Sequence, residues 1–225
     1  MKRFFHDELA EIESSLIAMS QKAFENVRLA MFAFENRDRD LAEKVLANDE
    51  EIDDLEIELD HNSTRYLGLR QPVAKELRLL AVTIKTSHDL ERVGDEATTI
   101  AKRTLHLFEV APSFRTKYDP SALLVMGDHC AAMLRSSIDA FLNSDVDQAV
   151  EVVKSDRKVD ALNRENLERF TAAISLDPQF ASGFLDLIFI SRALERIADH
   201  ATNISEEVIF LVSGKEVRHS GLKHS

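Results

Sequence analysis

Leu90-Glu91-Arg92-Val93-Gly94-Asp95 returns 104 residues later as Leu194-Glu195-Arg196-Ile197-Ala198-Asp199, with four of the six residues identical. At a spacing close to half of a 225-residue chain, such a match points to an internal duplication. The copy runs on, because Ala97, Thr98 and Ile100 recur as Ala201, Thr202 and Ile204 in the same register. Upstream, at an offset of 107, Phe34, Asn36, Asp38, Asp40, Ala42, Val45, Asp49 and Asp53 reappear as Phe141, Asn143, Asp145, Asp147, Ala149, Val152, Asp156 and Asp160. The change of offset is what a slightly shorter interhelical loop gives. The chain therefore reads as two similar units, residues 1–111 and 112–213, followed by a polar tail, 214–225.

Each unit reads as helical. Only four prolines and six glycines interrupt the chain, and Pro72, Pro120 and Pro178 each follow a polar or turn-like stretch, where helices start. The pattern predicts helices over about 7–36, 39–67, 72–109, 120–143, 146–174 and 178–213, with Asp38 and Asp145 as N-caps. The stretch from Val110 to Asp119, which holds Pro112, is the expected linker between units. Short loops force neighbouring helices to pack antiparallel, so the expected fold is all-α, a tandem duplication of two antiparallel three-helix bundles.

Composition narrows the function. A net charge of −12 and a pI near 5.1 argue against nucleic-acid binding through neutralised phosphates. Cys130 is alone, which rules out an intramolecular disulfide and leaves the cytoplasm as the expected compartment. Charges interrupt even Leu185-Asp186-Leu187-Ile188-Phe189-Ile190, so any membrane association is expected to be peripheral.

The candidate chemistry lies in four acid pairs spaced i, i+4 at repeat-equivalent places: Asp49/Asp53 and Asp156/Asp160, Glu91/Asp95 and Glu195/Asp199. Each pair projects from one helix face, where like charges cost a helix about 0.2–0.5 kcal/mol. In an antiparallel hairpin rising 1.5 Å per residue, Asp49/Asp53 and Glu91/Asp95 come level to within roughly 8 Å, and the second set to within about 5 Å. A cation would offset the repulsion. An all-carboxylate set suits hard or borderline cations such as magnesium, manganese, calcium or iron, with zinc through carboxylates a further candidate. His88 and His200 flank the acids, and Asn203 offers an oxygen where its counterpart Thr99 is a poorer ligand. Arg92 and Arg196, one residue from each Glu, are expected to point elsewhere.

Helical phase sets Glu91/Asp95 and Glu195/Asp199 opposite the apolar stripes Leu90, Val93, Ala97, Ile100 and Leu194, Ile197, Ala201, Ile204. These acids are thus expected at the surface. Leu77, Leu80 and Ile84, with Phe184 and Ile188, are expected to extend the same face into an apolar contact patch. The phenylalanines Phe24, Phe32, Phe34, Phe141, Phe170, Phe184 and Phe189 read as core or interface. An enzyme has little support, since there is no Gly-rich phosphate loop, no nucleophile beside a base and no Glu-x-x-His motif in place. The alternative class is a carboxylate-bridged iron oxidoreductase or metal-storage bundle using the same acids, which would place its ligands inward.

With these residues in hand, the chain resembles the PhoU family, the accessory regulators of bacterial phosphate uptake. The resemblance covers nearly the full length and is most specific at Arg70-Gln71-Pro72-Val73-Ala74-Lys75-Glu76-Leu77-Arg78 and at the two copies of the Leu-Glu-Arg segment. The family's Glu/Asp-x-x-x-Asp motifs carry metal ions in some members, which implies metal at Asp49, Asp53, Glu91, Asp95, Asp156, Asp160, Glu195 and Asp199, its identity among iron, zinc, manganese and magnesium left open. The resemblance further implies a cytoplasmic, homodimeric adaptor that represses phosphate-starvation signalling. Its partners would be the ATPase subunit of a phosphate ABC transporter and a sensor histidine kinase, with membrane contact only through them. One departure bears on the first site: Thr98-Thr99-Ile100 stands where the second copy has the more usual Thr202-Asn203-Ile204.

Overall fold

The computed structural model describes residues 2–215 and 217. Six helices follow one another: α1 (Lys2–Asn36), α2 (Arg39–Arg70), α3 (Ala74–Leu107), α4 (Ser121–Asn143), α5 (Val146–Leu176) and α6 (Ala181–Ser213). Short 3₁₀ turns, Pro112–Thr116 and Pro178–Phe180, precede α4 and α6. No strand occurs among the described residues. The expected polar tail lies almost wholly outside them.

The local chemistry at the first turn of each unit is repeated in detail. Asp38 accepts a hydrogen bond from the Leu41 N–H at 3.0 Å, and Asp145 from the Gln148 N–H at 3.0 Å, so both expected caps form. The residue before each cap is left-handed without being glycine, Arg37 at φ 51° and Ser144 at φ 53°. In each turn the cap's own N–H closes back on the preceding helix, Asp38 onto the Ala33 carbonyl and Asp145 onto that of Ala140, both at 2.9 Å. These bonds satisfy carbonyls that the helix end leaves open, and they hold α1 against α2 and α4 against α5.

The units are three-helix bundles, but they do not stand apart. α3 and α6 pack along each other, α1 touches α4, and one continuous core joins the halves, from Leu16, Val27, Ile52 and Leu90 to Met126, Phe170, Leu187 and Ile197. The stretch expected to be only a linker contributes to it. Phe114 is 1% exposed, and its ring lies 5.0 Å from that of Phe184, 5.7 Å from Phe180 and 4.9 Å from Tyr118. It rests on Gly183, where a Cβ would come within 2.5 Å of the ring. The linker is thus an anchor, and Lys117 bonded to Asp177 at 3.1 Å fastens its far side.

Packing also corrects the expected apolar contact patch. Leu80, Phe184 and Ile188 are in the core, Ile84 is half-buried, and only Leu77 stays exposed. Position along a helix set these residues on one face, but neighbouring elements cover that face, as Phe114 and Phe170 cover Phe184. Of the phenylalanines, Phe34, Phe170 and Phe184 are buried, Phe24 and Phe141 partly so, and Phe32 and Phe189 are exposed.

Candidate metal centre

α2 and α3 carry the first acid set, α5 and α6 the second. In the first repeat the helices meet closely at Gly94, where a Cβ would stand 3.1 Å from Asp49 Oδ1 and 3.2 Å from Ile52. Asp49 and Glu91 are half-buried, while Asp53 and Asp95 are exposed. Electrostatics tie the two helices together. Burial raises the Asp49 carboxyl above its ordinary range; the nearby Thr98 hydroxyl opposes this, and the charges of Asp53 and Asp95 add to it. Burial and then Asp95 raise Asp53, and burial and Asp95 likewise raise Glu91 against the pull of Arg92.

The second repeat is drier. Asp156, the equivalent of Asp49, is 2% exposed, and Asp160, Glu195 and Asp199 are half-buried. Burial raises Glu195 first, and the charges of Asp199 on its own helix and Asp160 on α5 raise it further. Beneath them the Cys130 thiol is buried, bonded to the Leu194 carbonyl at 3.1 Å and pushed far up by burial and by Asp156. It is an inert core thiol.

Counter-ions distinguish the two sets. The expectation that both arginines point away holds only for Arg196, which donates to Glu96 across the repeats at 2.9 Å. Arg92 instead folds back on its own site, 3.4 Å from Glu91 and 3.6 Å from Asp95. A side chain one residue from Glu91 leaves the helix about 100° away, but the long arginine stem curls back over the surface. The flanking groups also differ from expectation: Asn203 donates to Asp89 at 3.1 Å and His200 lies 2.8 Å from the same carboxylate, while His88 bonds Glu56.

The donor set fits a hard cation in kind. Asp49 beside Thr98, and the mutual effects of Asp53, Glu91 and Asp95, put oxygens of two helices at one place. The Thr98 hydroxyl is buried beside Asp49, and that of its repeat equivalent, Thr202, is buried without a hydrogen-bond partner. Among the described residues, however, no three side chains of His, Cys, Asp or Glu stand in an arrangement that could hold a metal ion. Coordination therefore requires the carboxylates to swing inward, and in the first repeat requires Arg92 to leave.

Two further acids were missed by reading motifs. Asp186 is 1% exposed, with His106 Nδ1 at 2.5 Å and Arg103 at 3.5 Å, and the Arg103 guanidinium stacks 4.1 Å over Phe189. Burial raises Asp186, opposed by His106 and Arg103. Glu207, also 1% exposed, takes Lys85 at 3.1 Å. With Asp89/His200 and Glu96/Arg196, these pairs form a polar seam along antiparallel α3 and α6. The signal was present: an acid inside an apolar run such as Leu185 to Ile190 must meet a cation from a facing helix.

The comparisons with known proteins agree with this geometry. A sequence profile described as the PhoU domain matches residues 16–104 and again 123–208, one match in each repeat. A phosphate-specific transport system accessory protein PhoU homolog of Pseudomonas putida is 40% identical over 219 residues, 97% of this chain and 84% of that protein. The crystal structure of PhoU from Pseudomonas aeruginosa superposes with a TM-score of 0.88 at 35% identity, covering 94% of this chain and 100% of the other. That of the phosphate transport system regulatory protein PhoU from Streptococcus pneumoniae gives 0.86 at 25% identity, covering 95% and 99%.

Proposed function

The chain belongs to the PhoU family, and from that premise we propose that it serves as a negative regulator of phosphate uptake and phosphate-starvation signalling. Membership makes it an accessory protein of the phosphate transport system rather than an enzyme. In this reading it is a cytoplasmic adaptor, acting as a homodimer between the ATPase subunit of a phosphate ABC transporter and a sensor histidine kinase. No helix among the described residues is long and apolar enough to cross a membrane, which suits contact with the membrane through partners. The alternative of an iron oxidoreductase has no support from a family of accessory regulators.

The metal-binding part of the proposal is supported by the facing of the acids across each hairpin, where Asp49 lies against Gly94 of α3 and Asp156 is buried, and where burial and acids of the same cluster raise Asp49, Asp53, Glu91 and Glu195. Carboxylates that burial and neighbouring charge hold against ionisation are stabilised when a cation replaces the missing counter-charge. Asp49, Asp53, Glu91 and Asp95 would hold one ion and Asp156, Asp160, Glu195 and Asp199 another. The ion would neutralise the acids and fix their helices; its identity lies among iron, zinc, manganese and magnesium.

Elemental analysis of the purified protein beside Glu91→Ala/Asp95→Ala and Glu195→Ala/Asp199→Ala tests the metal. Bound metal in wild type that falls in each variant supports the sites; none in protein prepared without chelator removes them. The regulatory role is tested separately. A strain lacking the gene should express a phosphate-starvation reporter in abundant phosphate, and silence without the gene would end the reading as a repressor.

A further inference from the structure

The outer flanks of the molecule carry complementary patterns of charge. α2 packs against α1 and α3, and α5 against α4 and α6, while α1 with α4 and α3 with α6 join the halves. α2 and α5 are therefore the outermost helices, on opposite sides. Each shows water a stripe at alternate steps of three and four residues, every member of it exposed. On α2 the stripe runs from Lys44 to Arg65, with Glu51, Asp54 and Glu58 at its centre. On α5 it runs from Asp147 to Glu168, with Lys154, Lys158 and Ala161 at its centre. The first is acidic in the middle and basic at its ends, and the second is the reverse. Divergence of the copies has produced part of this, since Lys44 and Glu51 correspond to Glu151 and Lys158 at the offset of 107. Glu50 beside the first stripe and its equivalent Arg157 beside the second, both exposed, add to the contrast.

Laid antiparallel with Asp54 opposite Lys158, the stripes set Glu58 opposite Lys154, Lys44 opposite Glu168 and Arg65 opposite Asp147. The remaining levels set His61 opposite Glu151, Glu51 opposite Ala161 and Ala47 opposite Glu165, so like charges meet at none of them. The match extends over about 30 Å at 1.5 Å per residue. Neither stripe fits a copy of itself. α2 laid on α2 brings Glu51 to Glu58 and Lys44 to Arg65, and α5 laid on α5 brings Glu151 to Glu165. Inside the chain the repeats already meet by this device, with oppositely charged side chains facing across antiparallel α3 and α6. Glu151 and Lys154 also bond each other along α5 at 2.8 Å, an exposed pair whose rearrangement on docking costs little.

We propose that α2 of one chain docks along α5 of a second copy of this chain, antiparallel and in this register. The two faces differ, so the contact is head to tail, and each end of a docked pair keeps one free flank at which a further copy can add. It goes beyond the homodimer of the proposed function, whose two-fold contact would use another surface. Exposed ion pairs each contribute little and are screened by salt, so the contact is weak, shared along the stripe and sensitive to ionic strength.

Sedimentation equilibrium of the full chain, kept in chelator so that metal at the carboxylate clusters does not enter, tests the contact. At about 0.05 M salt the average mass should rise with concentration, with Kd of about 0.1–1 mM, and the rise should disappear at about 0.5 M. Asp54→Lys/Glu58→Lys makes both flanks basic at the centre, and Lys154→Glu/Lys158→Glu makes both acidic. Each variant alone should associate at least about tenfold more weakly, with helicity unchanged by circular dichroism. An equimolar mixture of the two should regain association to within about threefold of wild type, because each supplies the flank that the other lacks. No rise in wild type up to about 1 mM overturns the proposal and gives the stripes to a different protein. A rise that survives in either variant alone, or a mixture no better than its parts, also overturns it. A dimer unchanged by salt and by both reversals overturns the stripe contact while leaving the homodimer standing.

Discussion

The two carboxylate clusters share a sequence motif, a helix pairing and a neighbouring buried threonine, yet they differ in how their charge is handled. In the first repeat Gly94 lets Asp49 lie against α3, Asp53 and Asp95 face water, and Arg92 bridges Glu91 and Asp95. In the second, Ala198 replaces the glycine, Asp156 is buried, and Arg196 is drawn away to Glu96. The first cluster carries its own cation and the second has lent its cation to the seam between repeats. An ancestral motif has thus diverged by reassigning arginines, without losing an acid. The difference teaches that duplicated ligand sets are compared properly by their counter-ions as well as by their ligands.

The comparison can be broken most severely at the element that only one repeat possesses. Phe114 locks the entry to the second bundle, and Phe114→Ala should cost about 3–5 kcal/mol in urea unfolding, as deletion of a buried aromatic does. A loss under 1 kcal/mol would mean that the linker is not part of the core. Next is the seam. Asp186→Ala removes a buried acid and strands Arg103 and His106, both of which reach water, so a loss of about 2–3 kcal/mol is expected in the same measurement. Third, the left-handed turns separate the repeats through what their side chains do. Ser144→Gly should stabilise by about 1 kcal/mol because it relieves a backbone conformation that a Cβ disfavours. Arg37→Gly should gain less, since it also forfeits the 2.9 Å bond to Tyr118. Equal gains in thermal melts would show that bond to contribute nothing.

The smallest effect bears most directly on the acids. Glu91 and Glu195 have folded-state pKa values above their ordinary range, so the folded chain holds these protons more tightly than the unfolded one. Their contribution is favourable below the ordinary carboxylate value, is lost as pH rises through the raised one, and is unfavourable at neutrality. Metal-free Glu195→Gln should therefore be more stable than wild type at pH 7 by about 0.5 kcal/mol, and Glu91→Gln by less because it also loses the partner of Arg92. Both gains should vanish below about pH 4. Melting curves across that range would reverse the ranking of the two clusters if Glu91→Gln gained more.

Much of this was legible in the residues. The repeat, the Asp38 and Asp145 caps and the facing of acids across each hairpin follow from periodicity and from a fixed rise per residue, which are properties of single helices and pairs. What escaped depends on a third partner. Helical phase assigns Leu80 and Phe184 to one face but cannot say which further elements cover it, as Phe114 and Phe170 cover Phe184. The loop around Phe114 has turn composition, yet one buried ring beside Gly183 makes it structural. Arg92 and Arg196 occupy equivalent positions and differ only because Glu96 competes for one of them. Asn203, offered as an extra ligand, is taken by Asp89 for the same reason.

The Asp89, His200 and Asn203 contact bears on ancestry. Were the chain built from two copies of its first half, Asp89 would confront Glu96 and Thr99, an acid against an acid; built from two copies of the second, Ala193 would leave His200 and Asn203 with no acceptor. Neither half could make this contact with a copy of itself. At this seam the two repeats are a left and a right hand, fitted to each other and no longer interchangeable.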